Sequence, residues 1–282
     1  MVQPDDAILR ETRWTSWIVV AVLVPALVVL WGWPGHTEDL WAWTIKGELT
    51  PIFMGSGYGA GAYFFTRAAL GRRWHAVSAG VLSAAFFAAV MLVVTLIHWD
   101  KFNHGDAPFW AAFAFYGWVI VYIAAPFVVG ALWLRNQRTD PRRPEPGDPL
   151  VTPRVRRVVQ VLSAVLGARA LVLLLRPSIG VDHGPWALTP LTTRVIAVFT
   201  SQVAFGALLL SLEQRWSSWR VLLQTFLVAT VLLFVGVARA WDDLETGRVA
   251  AWIFLVGLAG LAASVVVLYQ RMERATTSAA PS

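Results

Sequence analysis

The sequence predicts an all-α polytopic membrane protein: eight transmembrane helices arranged as two parallel four-helix repeats. Three observations lead there. The 282 residues are 57% hydrophobic and only 14% charged, with a mean hydropathy of +0.59, whereas soluble domains carry about 25% charged residues. The apolar residues fall in runs separated by short charged segments, and about 20 such residues cross a bilayer. The runs lack the period-2 alternation of a barrel, so helices are the structures that can satisfy their backbones in lipid. Finally, landmark residues recur 142 or 143 positions apart.

The first span, 16–33, follows Arg10 and Arg13 and stops at Pro34. Trp31-Gly32-Trp33-Pro34 is not a small-residue cleavage site, so the run reads as a retained helix. The second, 51–70, carries Gly55-Ser-Gly57-Tyr-Gly59-Ala-Gly61. Its interlocked GxxxG pairs suit close helix packing; a broken helix exposing carbonyls to a ligand is the alternative. No Lys-Ser/Thr follows, so it is not a phosphate loop. The third span, 76–98, ends at His98-Trp99-Asp100, and the fourth is 109–134. Residues 136–157, rich in Arg, Pro and Asp, read as a basic cytoplasmic linker able to touch anionic head groups. The fifth span, 158–175, contains Arg169 and stops near Pro177. The sixth, seventh and eighth are 191–212, 219–240 and 249–270. The domain boundaries are therefore 1–135 for the first repeat, 136–157 for the linker, 158–270 for the second repeat and 271–282 for a small, polar, disordered tail.

Loop charge sets the expected orientation. Sixteen Arg residues lie in the N-terminal segment, the second, fourth and sixth connections and the C-terminal segment; the alternate connections hold six Lys/Arg. The positive-inside rule puts the first set, and both termini, in the cytoplasm of a cell inner (plasma) membrane. The net charge of +6 has the same origin, so no nucleic-acid partner is expected. There is no cysteine, which excludes disulfides, iron–sulfur clusters and thiolate metal sites.

The repeat is visible in ordered matches. Trp99-Asp100 maps onto Trp241-Asp242, Leu49-Thr50 onto Leu191-Thr192 and Trp74 onto Trp216, all 142 residues on. Pro34 and Trp43 meet Pro177 and Trp186 at 143. Four spans per unit make the repeat parallel, with its pseudo-twofold along the membrane normal.

The segment Trp186-Ala-Leu-Thr-Pro-Leu-Thr-Thr-Arg194 resembles one that recurs in uncharacterised multi-pass proteins of high-GC actinobacteria. So do Trp41-Ala-Trp-Thr-Ile-Lys46 and Leu96-Ile-His-Trp-Asp-Lys-Phe102. The resemblance implies topology and source, and no chemistry.

Two groups of residues are candidates for function. Arg169 falls about 16 Å into its span, where a charge costs roughly 2.5 kcal/mol or more and normally faces protein or water. Ser201, Gln202 and Thr230 (with Thr200) lie at similar depth. Arg169 is read either as a lock on these groups and on backbone carbonyls, or as the site of an anionic ligand. The second group is an outer-mouth cluster of His98, Asp100, Arg194, Arg239 and Asp242, with Arg239 expected to pair with Asp242 and Asp243. His98, His104, Asp100 and Asp106 are spaced too irregularly for a metal site. With His36, His75, His104 and His183 placed in loops, no bis-His haem site is expected either; no cofactor is implied.

The function expected is binding or transport of a small molecule or lipid between the two halves, with the bilayer as the assured partner. A structural or accessory subunit of an envelope complex, with a protein partner unspecified, and an interfacial enzyme using His98, Asp100 and Asp242 are the alternatives.

Overall fold

The computed structural model describes residues 5–105 and 107–278, with the side chain of Ser278 excluded. Asp106 and residues 279–282, the end of the expected tail, lie outside them. The described chain is all-helical, with three isolated antiparallel bridges and no strand. Its helices are α1 (Arg10–Leu27, continued by a π-turn over Val28–Gly32), α2 (Thr37–Leu40), α3 (Leu49–Leu70), α4 (His75–Ile97) and α5 (Phe109–Asn136). They continue with α6 (Pro153–Leu175), α7 (Ser178–His183), α8 (Pro190–Leu212), α9 (Trp216–Arg239) and α10 (Val249–Ser278).

Seven of these segments are long and apolar enough to cross a membrane: α1 with its π-turn, α4, α5, α6, α8, α9 and α10. The exception is α3, with 22 residues, whose Gly, Ser and Thr content lowers its hydropathy. It is nevertheless among the most enclosed, with 15 buried residues. A helix screened by other helices does not need an apolar surface on every side.

The core is formed by α3, α4, α8 and α9. α3 packs on α9, α8 on α4, and α4 on α9; α1 lies outside α3, α6 outside α8, α5 outside α4 and α10 outside α9. Burial follows this order. It reaches 50% and 56% in the most apolar stretches of α4 and α8, against 11% in those of α1 and α10.

The glycines of α3 make this packing possible, and the helix is unbroken. A Cβ on Gly57 would lie 2.3 Å from the Phe199 ring of α8. One on Gly55 would lie 2.9 Å from Trp31, and one on Gly59 would meet Leu232 of α9 at 2.8 Å and Leu27 of α1 at 3.1 Å. Three neighbours approach one helix where side chains are missing.

Two sequence expectations are corrected. The tail from Arg271 is helix through Ser278, because Glu273 accepts from Trp216 Nε1 at 2.8 Å and from Arg220 Nε at 2.6 Å. The linker expected over 136–157 is packed against the helices and ends earlier. Asn136, Asp140 and Val151 are buried, and α6 already begins at Pro153 with Thr152 capping it through a 3.5 Å bond from Val155 N.

Candidate functional site

The N-terminal segment, the α3–α4 turn, the 136–157 segment and the α8–α9 turn converge at the arginine-rich end. Asp6 organises the first part of this junction. Its φ of 58° is a left-handed conformation that Asp tolerates better than most residues. Its N–H donates to Thr139 O at 2.8 Å, and its carbonyl accepts from Trp74 N at 2.7 Å. The carboxylate caps the start of α4, taking the His75 N–H at 3.0 Å on Oδ1 and contacting His75 Nδ1 at 2.5 Å through Oδ2. His75 is thus the first residue of α4, not a loop residue, and it is buried.

Across the junction, Asp148 does the same for α9. It accepts from Ser217 N at 3.1 Å and from Ser217 Oγ at 2.6 Å. The two capped helices meet where His75 Nε2 lies 2.8 Å from Ser217 Oγ. The result is a continuous chain: Asp6, His75, Ser217, Asp148.

Counting hydrogens gives this chain two states. A serine hydroxyl has one hydrogen, and a neutral imidazole has one N–H. If Ser217 donates to Asp148 and His75 Nδ1–H to Asp6, Nε2 must carry a second proton to bond Ser217. The complete chain therefore holds one proton more than a neutral imidazole between two carboxylates supplies. With neutral imidazole, the Ser217 hydroxyl can serve Nε2 or Asp148, but not both. Asp6 and His75 are enclosed, whereas Asp148 and Ser217 are only partly buried.

A second buried group braces the same place. Arg215 donates to both oxygens of Asp140, at 2.7 and 3.0 Å, and also pairs with Glu213. Burial opposes ionisation of Asp140 and Glu213, but the Arg215 hydrogen bonds outweigh it and hold both carboxyls below their usual range. Burial alone would lower the Arg215 pKa; the two carboxylates raise it instead. Asp6, His75 and Glu145 bring donor atoms within 4.8 Å of one another. Asp6 and His75 contact each other directly, and Glu145 is paired with Arg73.

Two clefts flank the junction. One, of about 340 Å3, is lined by Asp140, Arg142, Glu213, Gln214 and Arg215 among others. The other, of about 290 Å3, is lined by Arg67, Arg72, Arg73, Leu70, Val77 and Val221 among others.

The residues expected from the sequence are placed differently. Arg169 lies exposed on the flank of α6 and forms no hydrogen bond or ion pair among the described residues. The hydroxyls of Thr200, Ser201 and Thr230 donate within their own helices, to Ile196 O, Val198 O and Phe226 O at 2.7–2.9 Å. The Gln202 carbonyl takes Ser83 Oγ at 3.0 Å. The expected polar band therefore does not gather around Arg169.

At the other end, Arg194 Nη1 donates to His98 Nε2 at 2.8 Å, while its Nε binds Leu174 O at 2.9 Å. Burial and that guanidinium push His98 below its ordinary pKa. Asp100 pairs with Lys101 at 2.7 Å, and both are exposed; Asp242 is also exposed. The expected Arg239–Asp242 pair is replaced by bonds from Arg239 to Trp31 O and Gly32 O at 2.8 and 3.1 Å, at the end of the π-turn. Asp243 instead caps α3 through Glu48 N and Leu49 N, the latter at 3.2 Å. His98 and the two aspartates are thus not joined in one pocket.

The sequence reading missed the junction chain. The signal was present in the 142-residue offset, which carries Asp6 onto Asp148 and His75 onto Ser217. No protein-family model, curated protein or solved structure matches this chain.

Proposed function

We propose that this is a plasma-membrane protein of eight spans, α3 included, built from two parallel four-helix repeats with both termini cytoplasmic. It binds or transports a small molecule or lipid between the repeats. The Asp6–His75–Ser217–Asp148 chain is the latch joining them.

The observation carrying this reading is the exchange of contacts under the 142-residue offset. α3 on α9 becomes α8 on α4, and α1 on α3 becomes α6 on α8. The Ala7–Arg73 bridge corresponds to Leu150–Arg215. At the other end, Asn103 N to Ala42 O (2.7 Å) corresponds to Glu245 N to Pro185 O (2.9 Å). The latch joins equivalent residues from the two units, and the clefts beside it occupy corresponding turns, Leu70–Arg73 and Leu212–Arg215.

The titratable and charged groups near His75 are Asp6 on the N-terminal segment, Asp140, Glu145 and Asp148 on 136–157, Arg73 before α4 and Arg215 before α9.

The test uses the absence of native cysteine. Spin labels on Leu70→Cys and Leu212→Cys, both exposed, report the distance between the units in nanodiscs. The wild-type chain should give one narrow distance population. Ser217→Ala should broaden it. A distribution indifferent to Ser217→Ala would sink the latch.

Arg169 favours a second reading. An unpaired guanidinium on a membrane helix calls for an anionic partner, and a carboxylate-bearing helix of another subunit would supply one. Native mass spectrometry of a native-membrane extract should then show a stoichiometric partner that Arg169→Ala releases. A bare protein in both samples rules this reading out.

A further inference from the structure

The two clefts beside the latch occupy corresponding turns of the proposed repeats but differ in charge balance. In the α8–α9 cleft, Arg215 is saturated by Asp140 and Glu213. At the corresponding positions, the α3–α4 cleft replaces Gln214 with Arg72, Leu209 with Arg67 and Arg215 with Arg73. No carboxylate lines it among the described residues. Arg73 is partly neutralised, its Nε lying 3.0 Å from Glu145. Arg72 is exposed and has no hydrogen bond or ion pair among the described residues.

Arg67 is held in place. Its Nη1 donates to Tyr63 Oη at 2.8 Å and Gln224 Oε1 at 2.7 Å, and Gln224 Nε2 is fixed in turn by Tyr269 Oη at 2.6 Å. One arginine of α3 is thus oriented by α9 and α10, which leaves its remaining guanidinium donors for another acceptor. Leu70, Val77 and Val221 supply an apolar wall beside the cations. The cleft sits where α3 ends and α4 begins.

We propose that this cleft binds a phosphate group, with Arg67, Arg72 and Arg73 as its cradle and the apolar wall taking the chain attached to it. Planar guanidinium forks match phosphate oxygens. A turn at the end of two spans lies at head-group depth, where cytoplasmic arginines meet anionic lipid. The chemistry is that of a phosphodiester or phosphomonoester anion, from a lipid head group or from free phosphate. This inference rests on α3 crossing the bilayer, as proposed above.

The test is native mass spectrometry of the full chain in detergent with phosphatidylglycerol or phosphatidylcholine, and calorimetry with inorganic phosphate as a separate arm. Phosphatidylglycerol should be retained over phosphatidylcholine. Arg72→Ala should weaken that retention about fivefold, the worth of one arginine at a charged membrane surface, and Arg67→Ala should weaken it further. Arg143→Ala, an exposed linker arginine, should leave it unchanged. Phosphate binding that is lost in Arg72→Ala supports a free-phosphate site; lipid retention without phosphate binding supports a head-group site. Equal retention of the two lipids with no phosphate binding overturns the proposal, as does a preference indifferent to Arg72→Ala. Arg72 has no partner to lose, so that variant reads binding rather than folding. The latch is tested with Arg72 intact and the cleft with Ser217 intact, so failure of the latch and failure of the phosphate site are distinguishable.

Discussion

Removing Arg215 strands two carboxylates. The guanidinium is 5% exposed and Asp140 4%, and the contact is bidentate at 2.7 and 3.0 Å. Taking one partner from a buried pair costs about 3–5 kcal/mol, because the other charge remains desolvated. Glu213, at 27% exposure, can recover water, so the lower half of that range is expected for Arg215→Met. At about 2–4 °C per kcal/mol for a chain of this order of size, the thermal midpoint in detergent should fall by roughly 10 °C. The double variant Asp140→Asn/Arg215→Met should lose less than Arg215→Met alone, since no buried charge is left without its partner at position 140. The pH dependence has a definite sign. Asp140 and Glu213 are held below their unfolded values, so their contribution is complete above about pH 4–5 and is lost as pH falls toward their folded values. Wild-type stability should therefore drop more steeply in acid than that of Arg215→Met. A loss under about 1 kcal/mol, the scale of a solvated surface pair, with parallel acid profiles, would refute the reasoning.

Further outcomes follow from single contacts. Gly57→Ala places a methyl 2.3 Å from the Phe199 ring; overpacking of this kind should cost about 1–3 kcal/mol, read as a lower unfolding midpoint. Asp243→Ala removes the cap on α3 and should cost about 0.5–2 kcal/mol, with faster amide exchange at Glu48 and Leu49. Trp186→Phe deletes the 2.8 Å bond from Nε1 to Thr50 Oγ1 and should cost about 1 kcal/mol, whereas Trp43→Phe deletes an indole N–H with no partner among the described residues and should cost less.

The span pattern was legible because length and hydropathy act locally. The expected 109–134 and 191–212 fall within a turn of α5 and α8. The GxxxG spacing likewise pointed to close packing, since only absent side chains admit Trp31, Leu27 and Phe199 so near α3. Pairing was much less legible. Arg239 and Asp242 are three residues apart, and proximity suggested an ion pair; the carbonyls of a π-turn some two hundred residues earlier took the arginine instead. Arg169 was weighed by its depth, but the hydroxyls at that depth were already committed to carbonyls one turn back. His75 looked like a loop residue because its partners, Asp6 and Ser217, are distant in sequence. Only the repeat offset, applied to polar residues as well as to tryptophans, brings that chain together.

The most direct test of the account is a topology map from single cysteines in the naturally cysteine-free chain, labelled in intact cells with a membrane-impermeant thiol reagent. Cysteines at Glu38, Asp100, His183 and Glu245 should label from outside. Those at Arg72, Arg143, Gln214 and Thr277 should label only after the membrane is opened. If positions 38 and 72 label from the same side, α3 does not cross the membrane, and the arrangement of eight spans in two parallel repeats is contradicted.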